Sequence, residues 1–202
     1  MSLRCSTLVG ALALALGLAG CASAPMHYYT LTSSTPLVQN SYPTGQRPFE
    51  LMPVGVPAQV DVPQLVIRTS GQGMQLLDGE RWIAPLGDEI HSALAADLAN
   101  ALGVDDVSGL PGNGETRLRI TVNVRRFESV PDNHTLVIAD WSLRLTGQQR
   151  VLACSTASRV PVGAGYDALV AGHQAGLADV ARAIATTARS WEAGNPPACP
   201  AD

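Results

Sequence analysis

The chain has 202 residues, 46% of them apolar and 15% charged, with 13 basic against 17 acidic residues and a formal net charge of −4; every basic residue is an arginine. That length holds one domain with a sizeable core, and the apolar fraction is ordinary for a globular protein. An acidic chain without a basic cluster speaks against nucleic acid as a partner and against a polybasic membrane-binding surface.

The N-terminus has the layout of an export signal. Arg4 and the amino terminus are positive, Leu8 to Leu18 is apolar, and small residues follow. The apolar run is shorter than the roughly 18 residues that a spanning helix needs. It ends in Leu18-Ala19-Gly20-Cys21, which resembles the lipobox of bacterial lipoproteins. On that reading residues 1–20 are a signal peptide cut between Gly20 and Cys21. Cys21 then carries covalent diacylglycerol and an N-acyl chain such as palmitate, enough acyl chains for stable anchoring. The alternative is ordinary cleavage after Ala22-Ser23-Ala24, which discards Cys21 and leaves a soluble secreted protein. Residues 21–26 form a lipidated tether, reaching no more than about 20 Å.

Cysteine counting follows from the signal. Cys5 leaves with it and Cys21 is acylated, so Cys154 and Cys199 remain as an even pair in an oxidising compartment. They are the candidate disulfide, which would pin the Pro-rich tail at 194–202 to the strand holding Cys154. The competing reading makes Cys154 a small core residue and leaves Cys199 on a loose tail.

The remaining elements follow in chain order. His27 to Leu31 reads as a strand, 33–48 as a polar loop, and Phe49 to Val56 as a strand in which Pro53 marks an edge or a break. Gln64 to Thr69 and Met74 to Leu77 form a hairpin across Ser70-Gly71-Gln72-Gly73, and Asp78-Gly79 marks the next turn. From Pro85 to Gly103 the apolar residues Leu86, Ile90, Leu94, Leu98 and Leu102 recur on one helix face, with Asp88 and Glu89 in the first turn and Gly103 as the stop. Arg117 to Arg125 and 136–145 alternate apolar and polar residues, as antiparallel strands with one solvated face do. Gly147-Gln148 turns into Val151 to Cys154. A last helix runs from about Tyr166 to Ala193 with Leu169, His173, Leu177, Val180, Ile184, Ala188 and Trp191 as its stripe. The expected fold is α+β: a single domain over 27–193, a mostly antiparallel sheet with two long helices packed on one face.

Chemistry is sparse. There is no C-x-x-C and the four histidines are scattered, so no metal and no cofactor beyond the acyl chains is expected. His91 reads as a helix surface residue and His173 as a core or interface histidine. Asp105-Asp106 reads as a solvated loop, with cation binding as the lesser alternative. Ser108-Gly109 and Gly112-Asn113-Gly114 lack the strand-to-helix setting of a nucleophile elbow or phosphate loop. Asp140 and Arg144 could pair on the outer face. A secreted hydrolase built on Ser108, His91 or His134 is the weakest reading. Arg117, Arg119 and Arg125 fall on one strand face, with Arg144 across from them. That row is either a solvated sheet face or a surface for a protein partner.

The order of short motifs resembles the PqiC/YmbA family of ABC-type transport auxiliary lipoproteins. The matching segments are Cys21-Ala22-Ser23-Ala24-Pro25, Tyr28-Tyr29-Thr30-Leu31, Val54-Gly55-Val56 and Val62-Pro63-Gln64-Leu65-Val66-Ile67-Arg68. Trp82 ahead of Pro85-Leu86, Arg126-Phe127-Glu128 and Ala139-Asp140-Trp141 complete the set. The resemblance implies a non-enzymatic lipoprotein at the periplasmic face of the outer membrane. It would serve an MCE-type intermembrane lipid transport system, dock with an MCE-domain periplasm-spanning protein, and stand in a homo-oligomeric ring. Ala22 fits outer-membrane sorting, since Asp after the acylated cysteine is the usual retention signal. The alternative is a scaffold or assembly lipoprotein of another envelope machine, such as a cell-wall synthase activator or a secretion pilotin.

Overall fold

The structure is a computed structural model that describes residues 25–32, 47–112, 114–196 and 198–200. Residues 1–20, expected to be a signal peptide, Cys21 and most of the expected loop at 33–48 lie outside the described residues. Among the described residues seven strands and two helices follow one another as β1 (His27–Tyr29), β2 (Phe49–Leu51), β3 (Gln64–Arg68), β4 (Met74–Trp82), α1 (Leu86–Leu102), β5 (Leu118–Val130), β6 (His134–Leu145), β7 (Val151–Pro161) and α2 (Tyr166–Glu192). The α+β class and the order of elements are those expected. The strands, however, divide between two mixed sheets, a three-stranded one in the order β1-β4-β3 and a four-stranded one in the order β2-β5-β6-β7. β1 runs parallel to β4 and β2 parallel to β5, while the other pairings are antiparallel.

The large sheet has one buried face. Leu118, Ile120, Val122 and Val124 of β5 and Val137, Ala139, Trp141 and Leu143 of β6 point into the core. Arg125 interrupts the phase: Val124 faces Ala139 and Arg126 faces Ile138, so Arg125 is an extra residue in β5. A bulge leaves one residue unpaired and shifts the alternation. Arg125 and Arg126 are therefore both exposed, and Phe127 and Ser129 turn inward after them.

α2 packs on β6 and β7, and α1 packs on α2. Ile90, Leu94 and Leu98 of α1 meet Leu177, Val180 and Ile184 of α2 in one apolar cluster. α2 lies close to the sheet because two of its residues lack a side chain. A Cβ on Gly172 would stand 2.5 Å from Val162 Cγ1 and 2.8 Å from Thr135 Oγ1, and one on Gly176 would stand 3.1 Å from Val137 Cγ2. α1 ends on Gly103 at φ 69°, the left-handed stop that glycine adopts without strain.

Three local expectations are refined. Pro53 does break its strand: β2 ends at Leu51, and pairing resumes only at the single bridge of Gly55 with Asn123. Asp78-Gly79 is not a turn, because β4 continues through it to Trp82. Gln64 pairs with Arg81 and Leu65 with Leu77, so residues 78–80 form a wide bulge opposite β3. β7 extends past Cys154 to Pro161.

Candidate functional site

The residues of a serine hydrolase do meet, around the carbonyl of Leu51. Ser108 Oγ donates to Leu51 O at 2.8 Å and His91 Nε2 lies 3.3 Å from the same oxygen. Asp106 Oδ1 accepts from the amides of Ser108, at 2.9 Å, and Leu51, at 3.3 Å, and also contacts the Ser108 hydroxyl. In a catalytic relay the imidazole stands between hydroxyl and carboxylate. Here hydroxyl and carboxylate touch directly, and serine and histidine both turn to a backbone oxygen. The cluster is a clamp on the end of β2, continued by the backbone bonds of Val107 and Phe49. His134, at the β5–β6 turn, bonds Asn133 and stands apart from this cluster.

His173 projects from α2 into the core and is 1% exposed. Its ring stacks on Phe127 at 3.7 Å between centroids, and Nε2 lies 2.8 Å from Ser129 Oγ. Burial pushes its pKa down to about 3, so the imidazole is neutral. Trp82 meets the other side of this stack edge-on, 6.2 Å from Phe127. The stack joins the small sheet, the large sheet and α2, which makes His173 a packing residue. Among the described residues no group of three or more His, Cys, Asp or Glu is arranged to hold a metal ion.

The arginine row lies on the solvent face of the large sheet, but it is not bare cationic surface. Arg119 is in register with Glu50 on one side and Arg144 on the other, and bonds Glu50 at 2.9 Å. Glu50 thereby offsets the repulsion of two like charges directly opposite each other. Arg117 turns along the sheet edge to the carbonyls of Leu110 and Pro111, at 3.2 and 2.9 Å. Arg125 projects from the bulge and holds Asp140 at 3.2 Å, so Asp140 bonds Arg125 and not Arg144. Glu50, Arg117, Arg119 and Thr146 line a shallow cleft of about 500 Å³ between the sheet and the loop before β5. The arrangement can bind a surface of mixed charge; it presents no reacting group.

At the far edge, Cys154 and Cys199 form a disulfide with Cα atoms 5.5 Å apart. It fastens the tail after α2 to edge strand β7. Gly20 and Cys21 lie outside the described residues. Sequence reading missed two features. One is a triad of charges, Arg68 and Arg126 on Glu128, each at 2.6 Å. Burial alone would raise the Glu128 pKa, but the two arginines outweigh it and hold it below the usual range. Arg126-Phe127-Glu128 was visible as a motif, but nothing local pointed to Arg68. The other is an apolar outer face on the small sheet, whose members are single residues in separate segments.

No helix among the described residues is long and apolar enough to cross a membrane. Two proteins of known sequence named intermembrane transport lipoprotein PqiC, from Escherichia coli K12 and Shigella flexneri, are each 28% identical over 137 residues, spanning 66% of this chain and 72% of theirs. A crystal structure of an uncharacterised protein superposes with a TM-score of 0.66 at 22% identity, over 81% of this chain and 98% of that one. A Xanthomonas campestris protein does so at 0.59 and 17% identity, over 85% and 99%. Both likenesses show the fold. The family model described as the ABC-type transport auxiliary lipoprotein component matches residues 29–185, from β1 through most of α2, and the chain belongs to that family.

Proposed function

We propose that the chain is a non-enzymatic lipoprotein on the periplasmic face of the outer membrane. It serves as a component of an MCE-type intermembrane lipid transport system that maintains envelope integrity. The observation that carries this reading is the family match over residues 29–185. The relatives named for intermembrane transport supply the kind of transport. In this reading residues 1–20 are removed, Cys21 carries diacylglycerol and an N-acyl chain, and residues 21–26 tether a domain at 27–193. The tail at 194–202 is fastened by the Cys154–Cys199 bond, which suits an oxidising compartment. The domain docks with an MCE-domain periplasm-spanning protein, with copies arranged in a ring. Arg117, Arg119, Arg125 and Arg144 are its partner face. The clamp of Ser108, Asp106 and His91 on Leu51 supports a binding role, since its polar groups are spent on the backbone.

Crosslinking in living cells, followed by mass spectrometry of crosslinks and of the N-terminal peptide, tests location and partner together. The expected result is an acylated Cys21, sedimentation with outer membrane, and crosslinks to an MCE-domain protein. Crosslinks to a cell-wall synthase or a secretin would instead make the chain a scaffold of that machine. An unmodified peptide starting after Ala24 would remove the anchor altogether.

A further inference from the structure

Seven large apolar side chains stand exposed among the described residues, and five of them, Met26, Tyr28, Met74, Leu76 and Ile83, belong to the small sheet and its flanks. Strand register places them on one face. Tyr29 pairs with Trp82, and both pack toward the core; Tyr28 pairs with Arg81 and so points outward. Gln64 pairs with Arg81, Val66 with Leu76 and Arg68 with Met74. Alternate residues of β3 share a face, so Tyr28, Arg81, Leu76 and Met74 lie on one side of the sheet. Its β3 margin is covered, with Val66 buried and Arg68 bound to Glu128 of β5 at 2.6 Å, so the open part is the β1–β4 part. Ile83 continues the β1–β4 ladder through its amide bond to Tyr29 O, at 2.9 Å, and stands two residues beyond Arg81. Met26 stands two residues before Tyr28.

We propose that the β1–β4 part of this face, with Met26, Tyr28, Leu76 and Ile83, rests on the lipid bilayer at the boundary of headgroups and acyl chains. The inference rests on the acylation of Cys21 put forward above. Four residues separate Cys21 from Met26, and a chain of that length reaches no more than about 18 Å. An anchor inserted in a bilayer therefore holds the start of β1 within one domain radius of the surface. The apolar face lies at that start. Clustered exposed apolar side chains mark membrane or protein contacts. An acyl anchor combined with a second membrane contact holds better than either alone. The chemistry of the face fits an interface. Tyr28, 57% exposed, has an apolar ring and a polar tip. Arg81 beside it carries the charge that anionic headgroups attract. Glu80 lies on the opposite face, bound by Tyr29 at 2.6 Å and His27 at 2.9 Å, and does not oppose such a surface.

The test uses the full acylated protein on vesicles of phosphatidylethanolamine and phosphatidylglycerol, part of them with brominated acyl chains. Single variants Ile83→Trp and Leu76→Trp are read against Val151→Trp, an exposed site on β7, after subtraction of the wild-type signal. All three positions are exposed, at 61%, 47% and 54%, so the substitutions leave the core intact. The expected result is blue-shifted emission at 83 and 76, with bromine quenching at least about twofold above that at 151. Equal, weak quenching at all three sites overturns the proposal. So does a concentration-dependent oligomer that Ile83→Arg abolishes, which assigns the face to a second copy. The mass of the N-terminal peptide separates the two readings. If Cys21 carries no lipid, the acylation reading fails. The same variants mixed with excess vesicles then test the face alone, where quenching at 83 upholds it and its absence overturns it.

Discussion

At the scale of single residues, the most consequential side chain is His173, because it is buried and neutral. An unfolded chain binds a proton on histidine near pH 6.5, whereas the folded chain resists down to about 3. Between those values the unfolded state holds more protons, so stability rises with pH and falls on acidification. Going from pH 6.5 to 5 should cost about 2 kcal/mol from this residue alone. Urea unfolding at the two pH values measures it, and His173→Gln should flatten the slope even if it lowers stability at neutral pH. An unchanged slope would mean that His173 is protonated in the fold. Gly172 makes a second residue-scale prediction. The nearest atoms to an added Cβ belong to Val162 and Thr135, on the rim of β6 and β7 that α2 must cover. Gly172→Ala should destabilise the fold by roughly 1–3 kcal/mol through overpacking, visible as a lower denaturation midpoint. The sequence shows this glycine only as a poor helix former beside His173, because the atoms that forbid a side chain lie about 40 residues away in β6 and 10 away after β7.

At the scale of elements, legibility tracked how local the cause was. α1 was readable to within a residue because one-sided burial and the 3.6-residue period act inside the segment. Leu86, Ile90, Leu94, Leu98 and Leu102 are all buried. β7 beyond Cys154 was not. Its first inward residues there, ahead of Val160, are Thr156, which accepts from Trp141 Nε1 at 2.9 Å, and Ser158, which donates to Asp179 at 2.7 Å. Polar residues satisfied by partners on other elements leave no apolar alternation to see. The Arg125 bulge left a trace, two arginines in succession inside an alternating run. The split into two sheets left none, since the parallel pairings of β1 with β4 and β2 with β5 join segments remote in sequence. The tail is the element whose place depends on one covalent bond. Cys154 and Cys199 are 45 residues apart, and closing such a loop stabilises a fold by roughly 2–4 kcal/mol. The double variant Cys154→Ala, Cys199→Ala should lose about that much in a thermal or urea melt. It should also free the residues after Gly194 for proteolysis without unfolding the domain. A melt unchanged within about 0.5 kcal/mol would make the bond a fastening of the tail alone.

At the scale of the whole molecule, the domain offers its surroundings three unlike surfaces. The small sheet exposes apolar side chains along β1 and β4. The large sheet is polar and ridged by arginine. The helix layer has a groove lined mostly by small residues, with one acid, Asp97, whose pKa burial raises despite the opposing charge of Arg182. On the proposed function, these surfaces would serve different contacts. If the arginine face carries the protein partner, reversing charge there should break the contact and spare the fold. Arg125 is 62% exposed and its ion pair with Asp140 is of the kind worth about 0–1 kcal/mol. Arg144 lies on the same face, opposite Arg119. Arg125→Glu combined with Arg144→Glu should therefore shift stability by no more than about 1 kcal/mol. The yield of crosslinked partner should fall about tenfold, the loss of a modest part of an interface's energy. Arg182→Glu, on the exposed side of α2 beside Asp179, is the matched control, since it changes charge on the helix layer. Crosslinks that survive the sheet substitutions and vanish with Arg182→Glu would move the partner to the helices, and would leave the sheet face as solvated surface.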